Sequence, residues 1–470
     1  MRLMEPAIVH DRPWSWDTVW PWLAALGLIQ MVAAIAAIQL GALWMWAPAA
    51  VLVASIAFLS PRLGVYFLVV LVYVRVPLSG AVGVYPADIV AILILAGAAV
   101  GHLAANRQPS EVNPLTKPTI AVLGVFALSL VSSKFLNAGV VNWMRHAQIL
   151  GLSLAVTASL DRRDVHRLLR GMFIITTAMA AYNAVRFILI GGTARLFGPL
   201  GAFFPLFLSV AIGYGTVFFL IVDDTRTRVT WGAALLILFM GQLSSQARAA
   251  WLQTALSIGL LAWVFWKWAG NNGFPAIRRR LRTLGIVAFV VALVLLSGAI
   301  PLFDQPTSRV YESLAGESLS LNMRFFLWKM GMDAFLASPL LGTGLAAVRH
   351  LDELLPQWRL ETMGLYTHGL GAHNDMITYL SETGLIGVTV ILWLFLRVLR
   401  VGYQAFRARS SVEDAAAILS LWIPVSGIVM AFFFGAHTFY SIAGLMTSLC
   451  FGMLVRLCLP QSPTGAQRGS

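Results

Sequence analysis

The chain has 470 residues, 59% of them hydrophobic and only 11% charged, with a mean hydropathy of +0.80. Soluble globular domains carry about 25% charged residues, so this composition cannot cover a water-facing surface and excludes that class; the bilayer is the natural solvent. The net charge of +13 would suggest nucleic acid in a soluble protein, but here the positions of the charges carry the information.

A membrane-crossing helix needs about 20 mostly apolar residues. In chain order such runs predict spans near 20–40, 42–60, 63–80, 86–105, 118–134, 141–160, 168–190, 202–222, 229–246, 249–269 and 283–300. Further spans are predicted near 376–399, 414–434 and 438–458. The expected fold class is all-α: a polytopic transmembrane helical bundle of about 12–14 spans with one large ordered periplasmic loop. The first run starts near Trp20 and is followed by more spans, so it reads as a retained helix and not a cleaved signal. No fixed-period repeat is visible. Cys450 and Cys458 fall about two turns apart on one helix, too far to bridge, so they offer neither a disulfide framework nor a metal site.

Lysine and arginine set the orientation. Arg162, Arg163, Arg167 and Arg170 form one basic cluster. Lys267, Arg278, Arg279, Arg280 and Arg282 form another, and Arg397, Arg400, Arg407 and Arg409 a third. All three fall on one side of the alternating map, with Arg107, Lys117, Arg226 and Arg228. That side is expected to be cytoplasmic, as are both termini. The basic charge is thus a topology signal and not a nucleic-acid footprint. The expected organisation is transmembrane helices over residues 1–300, a periplasmic loop with short helices over 301–373, C-terminal transmembrane helices over 374–459, and a cytoplasmic tail over 460–470.

The loop over 301–373 is far longer than the connections of compact folds, and such loops are usually functional or disordered. It holds five Lys/Arg and seven Asp/Glu, so it is no basic patch. A helix is predicted over about Asn322–Leu336, with Phe326, Trp328, Met332 and Phe335 among its apolar residues. Ser338-Pro339 ends it, and Leu341-Gly342-Thr343-Gly344 follows. The loop is expected to form an ordered external cap.

Ionisable residues at the external edge of the membrane are costly unless used. His373 lies in Gly371-Ala372-His373-Asn374-Asp375, where the loop meets the next helix. Asn374 or Asp375 can cap that helix, and an imidazole there is a natural proton acceptor. The plainer alternative is an interfacial histidine that bonds a loop carbonyl. Arg195, Arg248 and Arg324 map to the same side, with Arg145 and Arg186 as weaker members. Guanidinium groups match phosphate oxygens in planar, bidentate fashion, and a diphosphate leaving group gathers charge as its bond breaks. Snorkelling to lipid headgroups is the alternative for any one of them. His350, His368 and His373 with Asp352 and Glu353 match no standard metal-ligand spacing. Gly342-x-Gly344 lacks the Lys-Ser/Thr of a phosphate loop, and no Walker-type motif occurs.

Several of these segments, in order, resemble the signature of the O-antigen ligase and polymerase superfamily. They are Arg324-x3-Trp328, Ser338-Pro339-Leu340-Leu341-Gly342-Thr343-Gly344, His373-Asn374, and Glu382-x-Gly384-Leu385-Ile386-Gly387. Upstream, Ser245, Arg248 and Trp251 resemble the family's Ser-Arg-Gly-Ala element, and Arg195-x2-Gly198 its Arg-x-x-Gly loop. Two departures stand out: Pro205 is followed by Leu206 where the family often has Pro-Asn, and Ser-Gln-Ala-Arg-Ala replaces Ser-Arg-Gly. The resemblance is best over about 190–400.

The resemblance implies a membrane fold of the GT-C type and a metal-independent, inverting glycosyl transfer with no cofactor and no nucleotide. The implied donor is a glycan on undecaprenyl diphosphate, and the acceptor in a ligase is lipid A–core oligosaccharide. His373 is then the general base, Arg195, Arg248 and Arg324 hold the diphosphate, and Asn374 orients the acceptor or the histidine loop. A polymerase of O-antigen or exopolysaccharide, or a protein O-glycan ligase, would use the same chemistry. A transporter or flippase would instead show inverted repeats and helices broken near the midplane, and the sequence displays neither.

Overall fold

The computed structural model describes residues 47–73, 86–104, 113–191, 204–296, 319–350, 374–409, 411–434 and 441–459. The chain divides into two compact units, 1–56 and 57–470. In the first, the described residues belong to helix α1 (Ala47–Leu59). The second is built from α2 (Pro61–Val72), α3 (Pro86–Ala104), α4 (Thr116–Ser129), α5 (Leu136–Ser159), α6 (Arg162–Leu189) and α7 (Phe204–Ile221). It continues with α8 (Thr225–Ser244), α9 (Arg248–Asn271), α10 (Pro275–Leu296), α11 (Leu319–Ala337), α12 (Asp375–Arg407), α13 (Val412–Phe434) and α14 (Ser441–Cys458). No strand occurs among the described residues.

Each span expected from residue 42 onward has its helix; the run at 20–40 lies outside the described residues. The helices overrun the apolar runs on the basic side. α6 starts at Arg162, α10 at Pro275 before Arg278–Arg282, and α12 continues to Arg407. Lysine and arginine are good helix formers, and their stems lie along apolar surface while the heads reach water, so the helix has no reason to stop at the bilayer edge. Among the described residues, α6, α7, α12 and α13 are long and apolar enough to cross a membrane, and α2, α3, α4 and α14 hold shorter apolar stretches.

Large apolar side chains remain exposed, among them Val131 at 88% and Leu189 at 79%. In water such faces would drive aggregation; against acyl chains they are neutral. The chain is an all-helical polytopic membrane protein.

The centre of the second unit is formed by α7, α13 and α14, whose side chains are mostly buried. α13 packs on α7, with Pro424 seated where Gly213 leaves room. α14 packs on α5, where Thr157 Oγ1 donates to the Gly452 carbonyl at 3.1 Å and Ser448 Oγ donates to the Ile149 carbonyl. At the basic end, Asp161 and Asp164 form a reciprocal capping box on α6. Arg62 of α2 reaches both carboxylates, at 3.1 and 2.6 Å, and Tyr66 donates to Asp164 at 2.9 Å. These bonds tie α2 to the start of α6 and leave the opposite end of the helices to be organised by α11 and α12.

Candidate active site

The segment that follows α11 is locked into a break in α12. The helix expected over about Asn322–Leu336 is α11, and Ser338-Pro339 ends it as expected because proline cannot continue the ladder. The chain then turns through Gly342 and Gly344, both at positive φ (71° and 100°). α12 is interrupted at Gly384 (φ 64°, ψ −167°), a conformation open essentially only to glycine. Interruption frees backbone groups that must find partners. Leu385 N–H donates to the Pro339 carbonyl at 2.9 Å and Ile386 N–H to the Leu340 carbonyl at 3.3 Å. In return, Thr343 N–H donates to the Ser381 carbonyl at 2.8 Å and Gly344 N–H to the Glu382 carbonyl at 3.0 Å.

Side chains close the joint. Ser381 Oγ donates to the Gly331 carbonyl of α11 at 2.7 Å, and Glu382, 3% exposed, accepts from Val348 N–H at 3.3 Å. A Cβ on Gly342 would collide with the Glu382–Thr383 backbone, and one on Gly384 with the Leu340 carbonyl. The two glycine-bearing motifs read from the sequence are therefore the two halves of one interlock. Met330, Ala334 and Val348 form a small core beneath it, with Phe326 and Ile377 packed against them.

Asn374 caps α12: its Oδ1 accepts from Ile377 N–H at 3.2 Å, as the sequence predicts for this position. Its Nδ2 donates to the Phe433 carbonyl near the end of α13 at 2.9 Å, so one amide both starts a helix and fixes it to its neighbour. Five residues on, the Tyr379 hydroxyl lies 2.6 Å from Nε2 of His146 in α5. Nδ1 of His146 lies 2.7 Å from the Asn142 carbonyl, which can only accept. Nδ1 therefore carries the proton, and in the neutral ring Nε2 accepts from Tyr379. Phe126 and Phe432 stack on the two sides of Tyr379, at 5.5 and 5.9 Å between ring centroids.

A second polar group lies at the turn between α8 and α9. Gln246 sits at φ 48°, left-handed for a non-glycine residue, and is 2% exposed. Neither of its amide atoms has a hydrogen-bond partner among the described residues. Nearby, Gln242 Nε2 donates to Thr254 Oγ1 at 3.1 Å, and Thr254 shares a 2.8 Å bond with Ser209. Trp251 Nε1 donates to the Gln242 carbonyl at 2.8 Å. The Oε1 of Gln242, Nε2 of Gln253 and Oγ of Ser257 are buried without a partner among the described residues. Unpaired buried amides and hydroxyls cost free energy, and they supply both donors and acceptors to a hydroxyl-rich ligand.

Of the five residues assigned to catalysis or substrate binding, Arg324 and Asn374 are described in full; the weaker members Arg145, half-buried in α5, and Arg186, exposed near the end of α6, are described as well. Arg324 is half-buried in the second turn of α11, shortly before Phe326, while Asn374 shortly precedes Ile377. Phe326 and Ile377 each pack on the Met330–Ala334–Val348 core, where α11 meets α12. Arg248 opens α9, one residue past the turn that holds Gln246, and its side chain lies outside the description. His373 and Arg195 lie outside the described residues, as do His368, Asp352 and Glu353 and the side chain of His350. Sequence reasoning missed His146. Its signal was present: a histidine inside an apolar run is an intramembrane ionisable group.

Residues 233–392 match a family model described as O-antigen ligase. The matched segment runs from α8 through the break in α12. The Exopolysaccharide production protein ExoQ of Rhizobium meliloti (strain 1021) is 26% identical over 258 residues, covering 51% of this chain and 55% of the relative. The chain thus aligns with about half the length of that relative. Together the two matches support the O-antigen ligase and polymerase superfamily.

Proposed function

We propose that this chain of the O-antigen ligase and polymerase superfamily transfers a glycan from a lipid diphosphate, undecaprenyl diphosphate, to an acceptor hydroxyl at the periplasmic side of a bacterial inner membrane. One observation carries the reading. The segment matching the ligase family contains Arg248, Arg324, His373, Asn374 and both halves of the glycine interlock, so the match covers all but Arg195 of the residues to which chemistry is assigned.

In this mechanism His373 takes the proton from the acceptor hydroxyl as the oxygen attacks the anomeric carbon. The bond from that carbon to the diphosphate breaks on the opposite face, inverting the configuration. Arg195, Arg248 and Arg324 receive the charge that collects on the departing diphosphate. Asn374, which caps α12 and bonds the Phe433 carbonyl, orients the acceptor or the histidine loop. The reaction needs no nucleotide, because the sugar–diphosphate bond supplies the driving force, and the guanidinium groups take the place of a metal at the leaving diphosphate. The unpaired amide of Gln246 and the unpaired Nε2 of Gln253 suit the hydroxyls of a sugar.

The ligase reading, with lipid A–core oligosaccharide as acceptor, follows the description of the matching family. The name of the ExoQ relative favours a second reading, in which the acceptor is another lipid-linked repeat of an exopolysaccharide. Deleting the gene separates them. Under the ligase reading, long chains vanish from lipopolysaccharide and polymer accumulates on the carrier. Under the polymerase reading, single attached repeats or low-mass exopolysaccharide persist. Unaltered lipopolysaccharide and exopolysaccharide would overturn both.

A further inference from the structure

α12 runs from its Asn374 cap to Arg407, roughly 50 Å at the usual rise per residue. A second charged cluster lies at its far end, on the face assigned to the cytoplasm. Arg162 is the first residue of α6, Arg409 lies just beyond α12, Asp414 is in the first turn of α13, and Arg456 is in the last turn of α14. The guanidinium of Arg162 is within electrostatic reach of Arg409, Arg456 and Asp414. Its Nη2 donates to the Leu459 carbonyl at 3.2 Å. The Arg409 carbonyl accepts from Trp268 Nε1 of α9 at 3.4 Å, which holds that wall in place. Nε of Arg162 and Nε of Arg456 are both buried with no hydrogen-bond partner among the described residues.

A positive-inside signal requires only that basic residues lie on one side; it does not require them to converge. Long side chains at helix ends are free to fan apart into water. Here arginines from separate parts of the chain are held together against their mutual repulsion, with Asp414 among them and the neighbouring Asp161 and Asp164 engaged by Arg62. His166, one turn along α6, feels the charges of Arg170, Arg162 and Asp414. Buried guanidinium N–H groups without partners, in a local excess of positive charge, match an anion with several acceptor oxygens. Clefts between membrane helices at the cytoplasmic boundary are where anionic headgroups reach.

We infer that the Arg162–Arg409–Arg456 cluster binds the phosphodiester of an anionic lipid headgroup. This does not rest on the glycosyl-transfer reading, because the cluster lies at the opposite end of α12 from Asn374.

The test uses the full chain purified in detergent. Unfolding temperature and lipid retention in native mass spectrometry are followed with phosphatidylglycerol, with phosphatidylcholine and with inorganic phosphate. Phosphatidylglycerol is expected to stabilise the protein beyond phosphatidylcholine. The Arg162→Gln/Arg456→Gln double variant should lose at least about tenfold in apparent affinity for it. Arg400→Gln, which removes an exposed charge elsewhere on α12, should lose none. Should the double variant fail to fold, Asp414→Asn serves: removing the cluster's carboxylate should strengthen phosphatidylglycerol binding. Equal loss in Arg400→Gln, or unchanged binding in Asp414→Asn, overturns the site, and full stabilisation by inorganic phosphate alone overturns its assignment to a lipid.

Discussion

His146 and Tyr379, 233 residues apart in sequence, are joined by a 2.6 Å hydrogen bond that fastens α5 to the first turns of α12. Both rings pack on Phe126, and Tyr379 also stacks on Phe432; the pair fixes the helix whose cap follows His373. Tyr379→Phe keeps the ring stacking but takes the hydroxyl from Nε2 of a buried histidine. It should cost about 1–3 kcal/mol of stability, read as a lowered unfolding temperature in detergent. A Tyr379→Phe protein as stable as the wild type would remove this bond from any role in holding α12.

The glycine interlock makes a sharper prediction. Gly384→Ala and Gly342→Ala each place a Cβ against backbone and impose a left-handed conformation that costs about 1–3 kcal/mol on its own. Both should sharply reduce the yield of monodisperse protein in fluorescence-detected size exclusion. Gly171→Ala, where a Cβ meets nothing within 4 Å, should be tolerated.

The two bonds of Asn374 can be separated. Asn374→Ser retains an N-cap acceptor but cannot reach the Phe433 carbonyl, whereas Asn374→Ala loses both. The alanine variant should be less stable than the serine variant by about 1 kcal/mol. If transfer falls equally in both, the tie to α13 is what activity requires; if serine restores transfer, the cap is.

For the chemistry, His373→Ala should lower transfer roughly 10²–10⁴-fold, the usual contribution of a positioned base, with expression and membrane insertion unchanged. Arg324→Lys keeps the charge but loses the planar fork, and should cost about tenfold or more. Both are measured with purified protein and a lipid-diphosphate-linked glycan donor. Full activity in His373→Ala would end the general-base assignment.

Much of the fold was legible in the sequence because the bilayer imposes a local rule: a helix that satisfies its own backbone needs only a long enough apolar run. The chain from residue 42 onward shows this. The end of α11 at Ser338-Pro339 and the cap at Asn374 were legible for the same reason, since both depend on residues within one helical turn. Order along the chain also marked the glycine motifs and Glu382 as belonging together.

What those motifs do was decided only in three dimensions. Gly342 reads as a loop glycine and Gly384 as one inside a span, yet each is required by the backbone of the other's segment. His146 was passed over in an apolar run because its partner sits on a helix far along the chain. Arg162 and Arg409 looked like separate topology signals until packing of α6, α12, α13 and α14 brought them together with Arg456. Hydrophobic periodicity reports how one residue stands to its near neighbours and the solvent. It carries no information about which distant helix supplies the missing donor, acceptor or counter-charge, and that pairing is settled only when the helices pack.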